Sequence, residues 1–248
     1  MFVTCCRRGT ESRLAARPPA DAARKGDAAV DPEAVHPLKL VSLLLQYPDP
    51  GTVAAIQELD LSRVEPMRKG QRESLAAFFE WYRQRTPGEL SRAYVDSFDF
   101  VRQRSLHLTY HLHGDSRQRG LGLLQIKSAY REAGLDPGES ELPDFLPFML
   151  EFSAMAPEPK GRELLERHRP AIELVRDSLR SEGSPWVHLF DVIREELPGL
   201  SKRQIARIRR LAENGPPTEE VGLEPFAPPE VMPTKDGDLP LPMVGGRG

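Results

Sequence analysis

From residue 35 to residue 213 the apolar side chains recur at steps of three and four, and no stretch alternates apolar with polar residues as a half-buried strand does. That period admits helices and little else. PLKLVSLLLQY (37–47) opens with a proline suited to a helix start and ends before Pro48. After the turn Asp49-Pro50-Gly51, TVAAIQEL forms a short helix. Residues 66–85 form the next, with Leu75, Phe78, Phe79 and Tyr82 inward and Pro87-Gly88 as its stop. Residues 91–113 then read as one long central helix and residues 117–134 as another. LDPGESELPD is a loop, and Asp144 is placed to cap the following helix, with Pro147 in its first turn and Phe148, Met149, Phe152 and Met155 facing inward. Further helices are expected at 160–181, bent or divided at Pro170, at 185–197 and at 201–213. The fold class is all-α: a single-domain bundle of roughly eight to ten helices.

The flanking segments lack this period. Residues 1–30 carry six basic and three acidic side chains among Ala, Arg and Pro, whereas residues 214–248 carry six acidic and two basic ones with eight prolines. Neither has enough apolar side chains to offset the entropy of ordering, so 1–34 and 214–248 are expected to be mostly disordered tails around a 35–213 domain. Leu223 and Phe226 are the residues that could pin the second tail to the domain. The N-terminus has arginines but no apolar run behind them, so it does not read as a secretory signal, and no segment is long and apolar enough for a membrane span. The two cysteines, Cys5 and Cys6, are adjacent in the first tail and cannot build a disulfide framework, which fits a reducing cytoplasm. A net charge of −3 without a broad basic face argues against nucleic acid as a partner.

The densest information lies in SRAYVDSFDFVRQRSLHLTYHLHGDSRQRG (91–120). Tyr94, Phe98, Val101, Ser105, Leu108 and Leu112 share one helical stripe, with Asp99 and Arg102 close enough on its margin to pair. Gly114 is suited to end the helix in a left-handed conformation, and Asp115 or Ser116 to cap the next. Arg117 and Arg119 then stand in a first helical turn, where the macrodipole disfavours cations. Either they pair with Asp96, Asp99 or a glutamate on a neighbouring helix, or they form an anion-attracting corner with the helix-end amides. His113 sits where a side chain can meet the last carbonyls of the first helix.

Catalytic constellations are scarce. The sequence has no P-loop, GxGxxG, GxSxG or HExxH. His107 and His111, four apart on the expected helix, could chelate a metal, whereas His113 lies about 200° round the helix from His111. A helical metalloenzyme built on His107 and His111 is therefore the alternative to a binding protein. SKRQIARIRR (201–210) reads as a basic helix with a solvated face and one docking edge at Ile205 and Ile208. A helical domain with isolated charges at its junctions and no catalytic set is suited to holding an amphipathic segment of another chain.

LLLQYPD (43–49), YVDSFD (94–99), RQRSLHLTYHLHGDSRQRG (102–120) and ELPDFLPFMLEF (141–152) resemble, in this order, the NarJ family of nitrate reductase assembly chaperones within the TorD-like group. The resemblance spans about residues 40–200. It implies an all-helical, non-catalytic cytoplasmic chaperone with no cofactor of its own. Such a chaperone binds the N-terminal segment of the nitrate reductase α subunit and keeps the apoenzyme competent for molybdenum cofactor insertion before membrane docking. Cofactor delivery proteins are further partners. On this reading Phe98, Leu108 and Leu112 supply apolar contacts to the client peptide. Asp99, Arg102, His113, Asp115, Arg117, Arg119 and Asp144 supply the polar ones. Phe145 stands where the family pattern commonly has histidine, so this segment lacks the Asp-His pair tied in related chaperones to peptide handling and a guanine-nucleotide interaction.

Overall fold

Helix-opening chemistry recurs along the chain: Asp49 accepts from the Gly51 and Thr52 amides, and Thr86-Glu89 and Ser201-Gln204 form capping boxes. In a computed structural model, which describes residues 35–136, 138 and 141–215 together with the backbone of Ala15–Ala16, these and similar signals delimit ten α-helices. They are α1 (Pro37–Leu44), α2 (Pro50–Gln57), α3 (Lys69–Arg83), α4 (Pro87–Phe98) and α5 (Leu108–His113). The others are α6 (Arg117–Glu132), α7 (Leu146–Met155), α8 (Lys160–Ser181), α9 (Val187–Glu196) and α10 (Lys202–Asn214). The only strands among the described residues are β1 (Ala15–Ala16) and β2 (Leu135–Asp136), an antiparallel pair. The all-α expectation holds. Apart from Ala15–Ala16, Asn214 and Gly215, the tails lie outside the described residues, including Leu223, Phe226 and the two cysteines.

The 22-residue α8 is the axis of the bundle, packed by α5, α7, α9 and α10, with α1 laid on α7 and α3 on α9. Its buried face carries Leu164, Leu165, Ile172, Val175 and Leu179. A second focus is aromatic. Trp186 is buried and meets the rings of Phe78, Trp81, Tyr94 and Phe98 at centroid distances of 5.3–5.8 Å. Each such contact adds about 0.5–1.5 kcal/mol to the area buried. Charges inside the bundle are paired. Lys39 meets buried Glu151 across α1 and α7, and Arg169, Glu173, Arg176 and Asp191 form a chain of ion pairs between α8 and α9.

Four expectations are corrected. The long helix expected from residue 91 to 113 is two helices, because α4 ends at Phe98 and a single 3₁₀ turn, Arg102–Arg104, separates it from α5. Pro87-Gly88 opens α4 rather than merely closing α3: Pro87 sits in the first turn, where its missing N–H costs nothing. Pro170 does not divide α8, which runs unbroken through it. A proline removes the donor that the carbonyl four residues earlier needs. Here the Gln204 side chain of α10 donates to the Glu166 carbonyl at 3.4 Å in its place. Met155, expected inward, is 37% exposed at the end of α7.

Glycine positions give a sharp test of this packing. A Cβ on Gly161 would lie 2.6 Å from the Ser153 Cα, where α7 and α8 approach, whereas Gly120 in α6 has open space around it. Thermal or urea unfolding is expected to show Gly161→Ala destabilised by about 1–3 kcal/mol through overpacking. Gly120→Ala is expected to be stabilised by up to about 1 kcal/mol through helix propensity.

Candidate functional site

The segments 104–110 and 142–146 are joined by backbone. The Leu108 amide donates to the Asp144 carbonyl at 3.1 Å and the Leu146 amide to the Leu106 carbonyl at 2.8 Å, with His107 and Phe145 paired as an isolated antiparallel bridge. Into this clip comes the fully buried side chain of Asp144. Its Oδ2 accepts from the Thr109 amide at 3.0 Å and from the Thr109 hydroxyl, while Oδ1 lies 3.3 Å from His107 Nδ1. Asp144 therefore caps α5, from a distant part of the chain, and not α7 as its position in the sequence suggests. α7 starts after Phe145 without any side-chain cap.

Burial pushes the Asp144 carboxyl up, but the His107 imidazole and the two Thr109 donors outweigh it and hold the group below its ordinary value. Burial of Asp99, at the C-cap of α4, pushes its carboxyl up instead, and no ion pair between it and the exposed Arg102 forms among the described residues. Arg104, two residues on, is the buried member of this stretch: it pairs with Glu182 at 2.9 Å and donates to Ser178 Oγ at 3.1 Å, fastening the 3₁₀ turn to α8. Sequence reasoning missed Arg104, Thr109 and the His107 contact. An apolar stripe that continued in phase across the break concealed the helix start that Thr109 marks.

At the second junction Gly114 adopts φ 60°, as expected, and its amide donates to the Tyr110 carbonyl at 2.7 Å. Ser116 occupies the cap position of α6 without a side-chain hydrogen bond. Arg119 pairs with Asp115 at 3.2 Å and lies 5.8 Å from the centroid of the Tyr110 ring. Its partner is thus within the junction, not on Asp96, Asp99 or a neighbouring glutamate. Arg117 is exposed. His113, half-buried, turns toward α6 and α8, and burial followed by the Arg207 charge holds its imidazole below the ordinary histidine value.

Phe98, Leu108 and Leu112 belong to the core and present almost no surface. Among the large apolar groups that do reach solvent, four are nearby in sequence: Phe100 after α4, Leu121 and Leu124 on α6, and Leu142 before α7. His107 and His111 do not share a helix face, because His107 precedes α5. His111 Nε2 donates to the Ser105 carbonyl at 2.8 Å and His107 turns to Asp144, so each ring has a protein partner.

Residues 65–191 match the nitrate reductase delta subunit family, from the turn before α3 to the middle of α9. The chain belongs to that family. The probable nitrate reductase molybdenum cofactor assembly chaperone NarJ of Bacillus subtilis is 33% identical over 171 residues, which cover 66% of this chain and 89% of that protein. NarJ of Escherichia coli K12 is 32% identical over 158 residues, 63% of this chain and 67% of the relative. Its probable chaperone NarW is 29% identical over 156 residues, 63% and 65% of the two chains. These three relatives are named as assembly chaperones rather than as enzymes, and the Asp144 clip lies well inside the matched span.

The clip makes a pH-dependent contribution to stability. A carboxyl whose folded pKa is depressed stabilises above the unfolded value of 3.8 and loses that contribution as pH falls through the folded one. Asp144→Ala is expected to cost about 2–3 kcal/mol at pH 7, since it strands the buried Thr109 donors. The gap from the unsubstituted protein in urea midpoints should narrow as pH is lowered below about 4.

Proposed function

We propose that this chain is a dedicated assembly chaperone of a respiratory nitrate reductase. It binds the N-terminal segment of the catalytic α subunit and keeps the apoenzyme open for molybdenum cofactor insertion, in the cytoplasm and before the complex docks at the membrane. Cofactor delivery proteins meet the client while it is held. The observation that carries this reading is the family match from before α3 into α9, whose relatives are named as nitrate reductase molybdenum cofactor assembly chaperones.

The distribution of surface supports a peptide-holding role. Exposed Phe100, Leu121, Leu124 and Leu142 lie in sequence around or within the segments that the Asp144 clip joins, and a few apolar anchors supply most of the energy of such an interface. Asp99, Arg102, Asp115, Arg117 and Arg119 add charges around them that fix orientation and exclude wrong partners. Phe98, Leu108, Leu112, His113 and Asp144 act from behind, by setting where these elements stand.

Calorimetry of the full chain with a peptide from the N-terminus of the cognate α subunit tests the proposal. Saturable binding is expected, and a folded protein that gives no binding at high micromolar peptide would overturn it. Replacing Phe100 and Leu124 by serine is expected to weaken binding about tenfold or more. The melting temperature should barely move, because both side chains are largely exposed. Replacing Arg117 and Arg119 together should also weaken the peptide at modest cost in stability, since the Asp115 carboxylate that Arg119 pairs with is 80% exposed.

A further inference from the structure

Away from the clip, four helices enclose a small cavity of about 110 Å³ whose charged side chains are all of one sign. α5 contributes His113, α6 contributes Gly122 and Gln125, α8 contributes Arg167 and His168, and α10 contributes Arg207. No carboxylate lines it. Among the described residues neither Arg167 nor Arg207 has a carboxylate within ion-pair distance. We propose that this cavity binds a small tetrahedral oxyanion of the phosphate class, held between Arg167 of α8 and Arg207 of α10 with His168 at its floor.

Two observations converge on an anion. The cationic groups of the cavity crowd one another: beyond the effect of burial, Arg207 disfavours a proton on His113 and Arg167 disfavours one on His168. An anion between them relieves that repulsion. His168 is 95% buried, and its Nδ1 donates to the Leu164 carbonyl at 2.9 Å, which leaves Nε2 for the cavity.

The volume decides the size of the guest. A liquid water occupies about 30 Å³, and pockets for whole cofactors run from about 300 Å³ upward. The cavity therefore takes a single oxyanion, free or as the terminal group of a larger molecule that stays outside. Guanidiniums on two separate helices suit a tetrahedral ion better than a planar carboxylate, which one arginine fork satisfies.

Protons are linked to this binding. With Nδ1–H committed to a carbonyl, His168 Nε2 can donate to an anion only when the ring takes up a second proton. The groups facing it are Arg167 on its own helix, His113 from α5, Arg207 from α10 and, further off, Asp144, the one that favours that proton. Anion binding therefore draws a proton onto the ring and strengthens as pH falls.

The test is titration of the full chain with sodium sulfate, a dianion throughout the range, at ionic strength held constant with sodium chloride and followed by calorimetry at pH 6 and pH 8. Inorganic phosphate and a phosphate monoester such as glycerol phosphate form parallel arms; binding of the monoester more tightly than the free ions identifies a larger molecule as the source. Saturable sulfate binding, tighter at pH 6, is expected. Arg167→Gln and Arg207→Gln should each weaken it about tenfold, the loss of one charge-assisted contact. Arg203→Gln, on the same helix but outside the cavity, should change it less than about threefold through screened long-range attraction. Binding no stronger than that of chloride, or an equal loss in Arg203→Gln and Arg207→Gln, overturns the site.

Discussion

One buried carboxylate joins the two halves of the family's characteristic sequence. Asp144 reaches from the loop before α7 to the first amides of α5, some thirty-five residues earlier, and satisfies donors that would otherwise be stranded in the interior. An unpaired buried charge costs several kcal/mol, so Asp144 and Thr109 are tolerable only together. The placement of α5 fixes the Gly114 turn, and that turn fixes the entry of α6. The backbone pairs on either side of Asp144 launch α7 against α1 and α8. Much of the bundle thus inherits its register from a contact that no local pattern announces.

That origin explains what could and could not be read from residue order. Helix number and type were legible, because period, proline placement and caps at Asp49, Thr86 and Ser201 act within a few residues. The break after Phe98 was not. Tyr94, Phe98, Leu108 and Leu112 kept helical phase across it, while the forces that open it are long-range: the Arg104–Glu182 pair and the Leu106–Leu146 backbone bond. Asp144 misled for the same reason, since its sequence neighbours offer it a cap and its spatial neighbours offer a better one. Arg119 found its partner four residues back, at Asp115, nearer than any neighbouring helix.

The candidate peptide surface shows a related limit. Apolar periodicity identifies what is buried, so Phe98, Leu108 and Leu112 stood out and proved to be core. Phe100 widens the apolar stripe and Leu121 and Leu124 keep the helical period of α6, so the pattern points all three inward, yet they face solvent and are free to meet a partner. Their neighbourhood was marked by the family motifs, but their exposure depends on the path of the 3₁₀ turn and on how far α6 leans from the core.

Pro170 carries a consequence for how the last helix is held. No residue of α10 is buried, and amphipathicity alone leaves such a helix free to roll along its groove. The carbonyl of Glu166, vacated by the proline, gives it a fixed peg through Gln204. Arg207 follows one turn later on the same helix. An imino acid, by withholding a single hydrogen, thereby sets the angular position of a cation on a different helix.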